Sequence, residues 1–352
     1  MLGRLFAGVG ETRPFEYLVV GDSLVWGGGL REEHKFYNLT RTWLETDVFG
    51  GKRAVNLKNR SHSGATLTLH ADEAAAFARA GWTDRKTYPQ EVNVSFPSVK
   101  MQLDIAAEEY GSDARKNVDL LMLTGGLTDI STAGILDPKG DNDKLKQDIE
   151  KYCLGSMQEV LANAGSHFPN AVIAVVGYFP ILSPYTNTGK LFNGMLEAYE
   201  FPRFFKPFMN NPLVRPIAFK KMKKKAIVRS RIWIEHSDMR LKEAVDKFNA
   251  GNGKGRAVFI KGPVTEENCF ETPNTLLIRM GNKGRTDDVL YDERKAQCNE
   301  ALPALEKATG IKYPLRYCEL ASVGHPNIAG AKAYTESIKT ILRPVLERRA
   351  VG

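Results

Sequence analysis

Short runs of aliphatic and β-branched residues, each leading into glycine and separated by stretches of helical period, constrain this chain more than any other feature. Phe15 to Val20 stops at Gly21, Val118 to Thr124 stops at Gly125 and Gly126, and Ala171 to Gly177 and Ala257 to Ile260 read the same way. Arg53 to Leu57 reads as a further strand. Runs that are apolar on both faces belong in a sheet covered on both sides, the habit of parallel strands. Between them Leu145, Ile149, Cys153, Met157 and Leu161 recur at every fourth position. Near the C-terminus Ile328, Ala331, Tyr334, Ile338, Ile341 and Val345 keep to one helical face. Strands alternating with helices imply right-handed crossovers in one α/β domain spanning residues 1–352, with functional residues at the carboxyl ends of the strands.

The formal charge of +8 is local. Ten Lys and Arg residues and no acid lie between Phe201 and Arg231; removing those ten from 49 leaves 39 basic against 41 acidic residues. The stretch 185–231, rich in Phe, Pro and Lys, fits no strand–helix rhythm and reads as an insertion, either a cap or a surface-binding element. Lys220, Lys221, Lys223, Lys224 and Lys225, with Phe204, Phe205 and Phe208 upstream, suit either a solvated helix face with the Phe packed into the core or a peripheral contact with an anionic membrane. The segment matches no nucleic-acid motif, so nucleic acid is not expected as a partner. No run of 18 apolar residues is present, and the first ten residues lack the form of a secretory signal, so a cytoplasmic or peripheral membrane location is expected, with secretion left open. Cys153, Cys269, Cys298 and Cys318 make no metal-ligand spacing; free buried thiols are expected in preference to a Cys298–Cys318 pair.

Chemistry concentrates in four blocks. Gly21-Asp22-Ser23-Leu24 follows the first strand, where a serine can present its hydroxyl above the sheet with backbone N–H groups facing an anion. Ser61 to Leu67 carries Gly64, and Leu123 to Asp129 carries Thr128 directly after a buried strand. Last comes Ser322-Val323-Gly324-His325-Pro326-Asn327, in which Asn327 is a ready N-cap and His325 is held just outside a helix, as a general base should be. The other histidines, His34, His62, His70, His167 and His236, lack such a context.

These blocks, in this order, resemble those of the SGNH (GDSL) hydrolases. The resemblance implies a flavodoxin-like three-layer α/β/α sandwich with a mostly parallel central sheet, and cleavage of a carboxylic ester, lipid acyl esters included, through an acyl-enzyme. Ser23 would be the nucleophile and His325 its base, with Ser23, Gly64 and Thr128 forming the oxyanion hole and no metal or cofactor required.

Two positions depart from the pattern. Thr128 stands where the family carries Asn, and Ser322 stands three residues before His325, where the family carries Asp. Ser322 is then a neutral orienter, by its hydroxyl or a backbone carbonyl, with Glu319 as the other acid within reach. Both departures weaken charge stabilisation. They keep open an acyl-ligand-binding protein of the same fold, or an acyltransferase using the same acyl-enzyme.

Overall fold

The computed structural model describes residues 13–81, 88–187, 215–253, 255–280 and 287–351. The strands are β1 (Phe15–Val20), β2 (Val55–Asn59), β3 (Val118–Leu123), β4 (Val172–Val176) and β5 (Ala257–Ile260). They form one sheet in the order β2-β1-β3-β4-β5, parallel throughout. From Tyr17 to Val20, from Leu120 to Leu123 and all along β4 the residues are fully buried, as runs covered on both faces must be. The second strand lies two residues later than the sequence suggests, because Glu45 and the Phe15–Ala54 hydrogen bond fix its start at Val55.

The helices that position the site are α1 (Ser23–Trp26), α2 (Phe36–Trp43), α3 (Val99–Ala114), α4 (Leu127–Ile130), α5 (Asn142–Ile149), α6 (Met157–His167), α7 (Arg215–Phe248), α8 (Tyr291–Thr309) and α9 (Ile328–Val351). A π-helical segment, Glu150–Ser156, joins α5 to α6, so the four-residue period read from Leu145 to Leu161 runs on one continuous rod. The chain passes from β1 outward to β2 and then back to β3 on the other side of β1. That reversal opens a crevice at the carboxyl ends of β1 and β3, where ligands bind in sheets of this kind.

Part of the expected insertion is regular structure. Residues 188–214, with Phe201, Phe204, Phe205 and Phe208, lie outside the described residues, but from Arg215 onward the chain is the 34-residue helix α7. Ala226, Ile227, Ser230, Trp233, Ser237, Leu241, Ala244 and Val245 are buried along it at helical spacing, packed on α5, α6 and β5. The prolines and lysines before Ala226 hide that period in the sequence. Arg229 is itself buried, its guanidinium donating to the carbonyls of Ile135 (2.9 Å) and Gly134 (2.8 Å).

The cysteine expectation needs correction. Cys298 on α8 and Cys318 form a disulfide, because the turn after α8 folds back and brings their Cα atoms to 6.1 Å. Cys153 and Cys269 are free and buried.

Candidate active site

β1 ends at Val20 and the chain turns at once. Gly21 has φ +143°, and a Cβ there would lie 2.4 Å from the Thr124 hydroxyl and 2.8 Å from the Thr124 carbonyl, so only glycine fits beside the end of β3. Its N–H donates to Gln102 Oε1 at 2.7 Å, and the Gln102 amide returns a bond to the Gly21 carbonyl. Asp22 then caps α1, accepting from the Leu24 N–H at 3.0 Å. The Asp22 carboxylate also accepts from Thr124 Oγ1 (2.8 Å) and Tyr178 OH (2.5 Å). Burial raises the Asp22 carboxyl above its ordinary value, against these three hydrogen bonds and the nearby His325. Ser23 follows as the first residue of α1, at the crevice.

His325 comes from the far end of the chain. Ile278 donates its N–H to the His325 carbonyl (2.7 Å), Gly324 donates to the Ile278 carbonyl (2.9 Å), and Asn327 donates to the Leu276 carbonyl (2.9 Å). Asn327 caps α9, its Oδ1 accepting from the Gly330 N–H at 3.0 Å. This brace sets His325 Nε2 at 2.7 Å from Ser23 Oγ. The distance is that of a hydrogen bond between a nucleophile and its base. Burial holds the imidazole below its ordinary value. Asp22, the Ser322 carbonyl and Asp288 favour its charged form, whereas Arg294 opposes it. His325 Nδ1 is buried without an aligned hydrogen-bond partner among the described residues.

The two other blocks border the serine turn: the His62 N–H donates to the Gly21 carbonyl at 3.0 Å, and Tyr178, whose hydroxyl donates to Asp22, accepts from the Leu127 N–H. Gly64 lies against Val94 with φ +84°. Among the described residues the backbone N–H groups of Ser23 and Gly64 donate no hydrogen bond. Thr128 sits half-buried in α4. On one side of it the Leu127 N–H donates to Tyr178 OH (3.3 Å), and on the other Asp129 accepts from the Leu67 N–H at 3.2 Å on each oxygen. Burial pushes Asp129 up to about 7. The third block is thereby tied to the second.

Ser322 does something other than orient His325 with its hydroxyl. That hydroxyl donates to Asp288 Oδ2 (2.6 Å) and accepts from Arg294 Nη2 (2.9 Å), and only its carbonyl, which accepts the His325 N–H at 3.0 Å, closes the histidine turn. The Glu319 carboxylate pairs with Arg316 at 2.8 Å. Asp288, Arg294, Glu91, Tyr178 and Thr124 were not singled out by sequence reasoning. A buried Arg and Asp carry no local signature, although the polar residue ending β3 could have been read as a partner for the Gly21 turn.

Lys220, Lys221, Lys224 and Lys225 are exposed, whereas Lys223 turns inward, its Nζ donating to the Thr186 carbonyl at 2.6 Å. Arg231 pairs with Glu266. A cavity of about 890 Å³ lined by residues such as Gly165, Pro169, Phe248 and Arg256 lies at the amino ends of β4 and β5, the pole opposite Ser23. Its size does not make it the site. A smaller cavity of about 400 Å³, lined by Leu30, Arg31, His34, Val289, Asn327 and Ile328, lies among residues flanking the Ser23 and His325 turns. No group of His, Cys, Asp and Glu suited to a metal ion occurs among the described residues.

No family model and no curated protein matches the sequence. Among solved structures, an extracellular lipase from Streptomyces rimosus aligns over 93% of this chain and 99% of its own, with 12% identity and a TM-score of 0.46. A phospholipase A1 from Streptomyces albidoflavus NA297 aligns over 93% and 99%, with 12% identity and a TM-score of 0.43. A family two carbohydrate esterase from Clostridium thermocellum aligns over 96% and 67%, with 12% identity and a TM-score of 0.40. The chemistry of this chain is argued from its own residues.

Proposed function

We propose that this chain is a serine-dependent carboxylic ester hydrolase of the SGNH (GDSL) type. The observation that carries the reading is the 2.7 Å contact between Ser23 Oγ and His325 Nε2 at the carboxyl edge of the sheet. Burial favours the neutral form of His325, whose Nε2 can accept the Ser23 proton as Oγ attacks the ester carbonyl. The tetrahedral oxyanion would be met by the Ser23 and Gly64 N–H groups and the Thr128 hydroxyl. His325 then returns the proton to the departing alcohol, and water, deprotonated by the same imidazole, releases the acid from Ser23. A fluorophosphonate probe is expected to label the wild type and not Ser23→Ala, and Ser23→Ala and His325→Ala are each expected to lose hydrolysis of short-chain esters while still folded. Equal labelling of wild type and Ser23→Ala sinks the assignment. Labelling without turnover points to an acyltransferase, and no labelling at all to an acyl-ligand-binding protein.

A second reading concerns where the substrate comes from. α7 runs from the carboxyl end of β4 back toward the amino end of β5, and Ser230 Oγ accepts the N–H groups of Ile181 and Leu182 just beyond β4. The four exposed lysines near its start therefore lie toward the pole of the sheet that holds Ser23. Lys220 with Lys224 and Lys221 with Lys225 are like charges one turn apart, an arrangement that weakens a helix unless anions meet it. An anionic lipid surface fits, at about 1 kcal/mol per basic residue near it. The protein is expected to sediment with phosphatidylserine vesicles at low salt, and replacement of Lys220, Lys221, Lys224 and Lys225 by Gln is expected to release it with soluble-ester hydrolysis intact. Failure of the wild type to sediment removes the membrane from the reading.

A further inference from the structure

The histidine turn and the serine turn meet over a buried cluster of charge that neither turn supplies by itself. Arg294 on α8 is wholly buried and uses its guanidinium fully: Nε donates to the Glu319 carbonyl (3.0 Å), Nη1 to Glu91 Oε2 (2.7 Å), and Nη2 to Asp288 and to Ser322 Oγ (2.9 Å). Glu91 in turn accepts the Trp26 indole N–H at 2.7 Å and the Gly29 N–H at 3.2 Å. Trp26 lies three residues after Ser23, and Ser322 three residues before His325. One guanidinium thus links the turns that carry the two members of the reacting pair, through Glu91 on one side and Ser322 on the other.

Asp288 is the second carboxylate of the cluster, its side chain 2% exposed. The Ser322 hydroxyl donates to it at 2.6 Å. The serine turn presses on the same pair: a Cβ on Gly29 would lie 2.7 Å from Ser322 Cβ and 2.8 Å from Asp288 Oδ1, so only glycine fits. Ser322 occupies the position where the resemblance would place an aspartate, and a carboxylate from 34 residues upstream stands directly behind it.

We propose that Asp288, acting through Ser322, is the positioning carboxylate for His325, and that Arg294 holds both in register with the Ser23 turn. This rests on reading Ser23 and His325 as a nucleophile and its base. The charge is displaced by one side chain from its expected place, and Ser322 transmits it. The Ser322 hydroxyl fixes Asp288 on one side, and the Ser322 carbonyl fixes the His325 turn on the other. When His325 takes the Ser23 proton, Asp22 from the end of β1 favours the imidazolium most among the charges, and Asp288 offsets part of the opposing effect of Arg294. Glu91 is engaged by Arg294, and Lys35, also buried here, has Glu32 as its own partner at 2.8 Å. No atom is transferred to Asp288; the proton moves only between Ser23, His325 and substrate.

The test is an NMR titration of the His325 ring, its signal identified by its loss in His325→Gln, with kcat and KM for a short-chain ester measured on the same samples. Asp288→Asn is expected to titrate at lower pH than the wild type, because a charge favouring the imidazolium is gone. Its kcat should fall about ten- to a hundredfold with KM held. The exchanged pair Asp288→Ser with Ser322→Asp keeps one carboxylate beside Arg294 and is expected to bring the titration back to the wild-type value or above, with kcat recovered. Ser322→Ala, the mildest change and the one least able to disturb folding, should cost about tenfold or less, since it cuts only the link. A His325 titration unmoved in Asp288→Asn overturns the proposal, as does a folded exchanged pair that fails to restore it. If His325 moves as expected but the wild type cleaves no ester, the hydrolase reading falls and the positioning of His325 stands. If esters are cleaved and His325 does not move, the reverse holds.

Discussion

The turn that carries Ser23 takes its shape from a strand end, a glycine and a capping carboxylate within a few residues, whereas the turn that carries His325 depends on charged side chains far along the chain. In the first, Gly21 and Asp22 adjoin Ser23, and their partners Thr124 and Gln102 come from the residue after β3 and from α3, which the sheet itself places nearby. In the second, Asn327 and the 276–278 segment hold the backbone, but the polar support behind His325 is Asp288, Arg294 and Glu91, from two loops and α8. The Asp22 carboxylate spreads its charge over three donors and tolerates loss of one better than the buried ion cluster tolerates loss of its guanidinium, because two stranded carboxylates cost far more than one missing hydroxyl. The two halves of one site should therefore fail differently.

Arg294→Met puts that contrast to its hardest test. It leaves Glu91 and Asp288 facing each other without a cation in a buried place, and the expected loss of stability is about 3–5 kcal/mol. Thr124→Val is the matching lesion on the serine side. It removes the hydroxyl that accepts the Asp22 N–H at 3.2 Å and donates to the Asp22 carboxylate, with an expected loss of about 1–3 kcal/mol. Denaturant unfolding of the two variants beside the wild type gives the comparison directly. Equal losses, or a larger loss in Thr124→Val, would mean that the ion cluster is not what holds the histidine turn.

The same contrast explains how much of the molecule could be read from sequence. Period and composition locate β1, β3, β4 and β5, since parallel strands covered on both faces over most of their length announce themselves as largely apolar runs. Ser23, Gly64, Thr128 and His325 stand out because each sits at a strand end or a helix cap, and such positions carry local signals. Asp288 and Arg294 carry none. An Asp and an Arg six residues apart look like any solvated pair until the fold buries them, and their partners Glu91 and Ser322 are distant in sequence. Helix α7 was legible only in part: the lysine run reads as a solvated helix face, but the buried positions among the described side chains start at Ala226, after a tract whose prolines and lysines break the period. The Cys298–Cys318 bond depends on a fold-back after α8 that spacing alone does not disclose.

The smallest expected effect sharpens the serine side of the comparison, where the chemistry is local and a single side chain can be judged by its reach. Thr128, proposed above as the third oxyanion donor, is half-buried in α4, with its backbone fixed on both sides by the Leu127–Tyr178 and Asp129–Leu67 hydrogen bonds. Because those bonds hold the main chain, Thr128→Asn changes only the length and donor count of the side chain. Asparagine extends an N–H further toward the developing charge than a hydroxyl on Cβ can. Loss of a good oxyanion donor costs about 10²–10³ in rate, and a threonine that donates through a water recovers part of that, so the gain expected from Thr128→Asn is on the order of tenfold in kcat. The donor acts on the oxyanion and not on the ground-state ester, so KM should hold steady, and stability should stay within about 0.5 kcal/mol of the wild type for a half-exposed position. Steady-state kinetics on a short-chain nitrophenyl ester reads all of this except stability, which a thermal melt supplies. A fall in kcat with the melt unchanged would show that the Thr128 hydroxyl makes a contact of its own in the transition state, and the position would then be a specific adaptation of this chain and not a weakened donor.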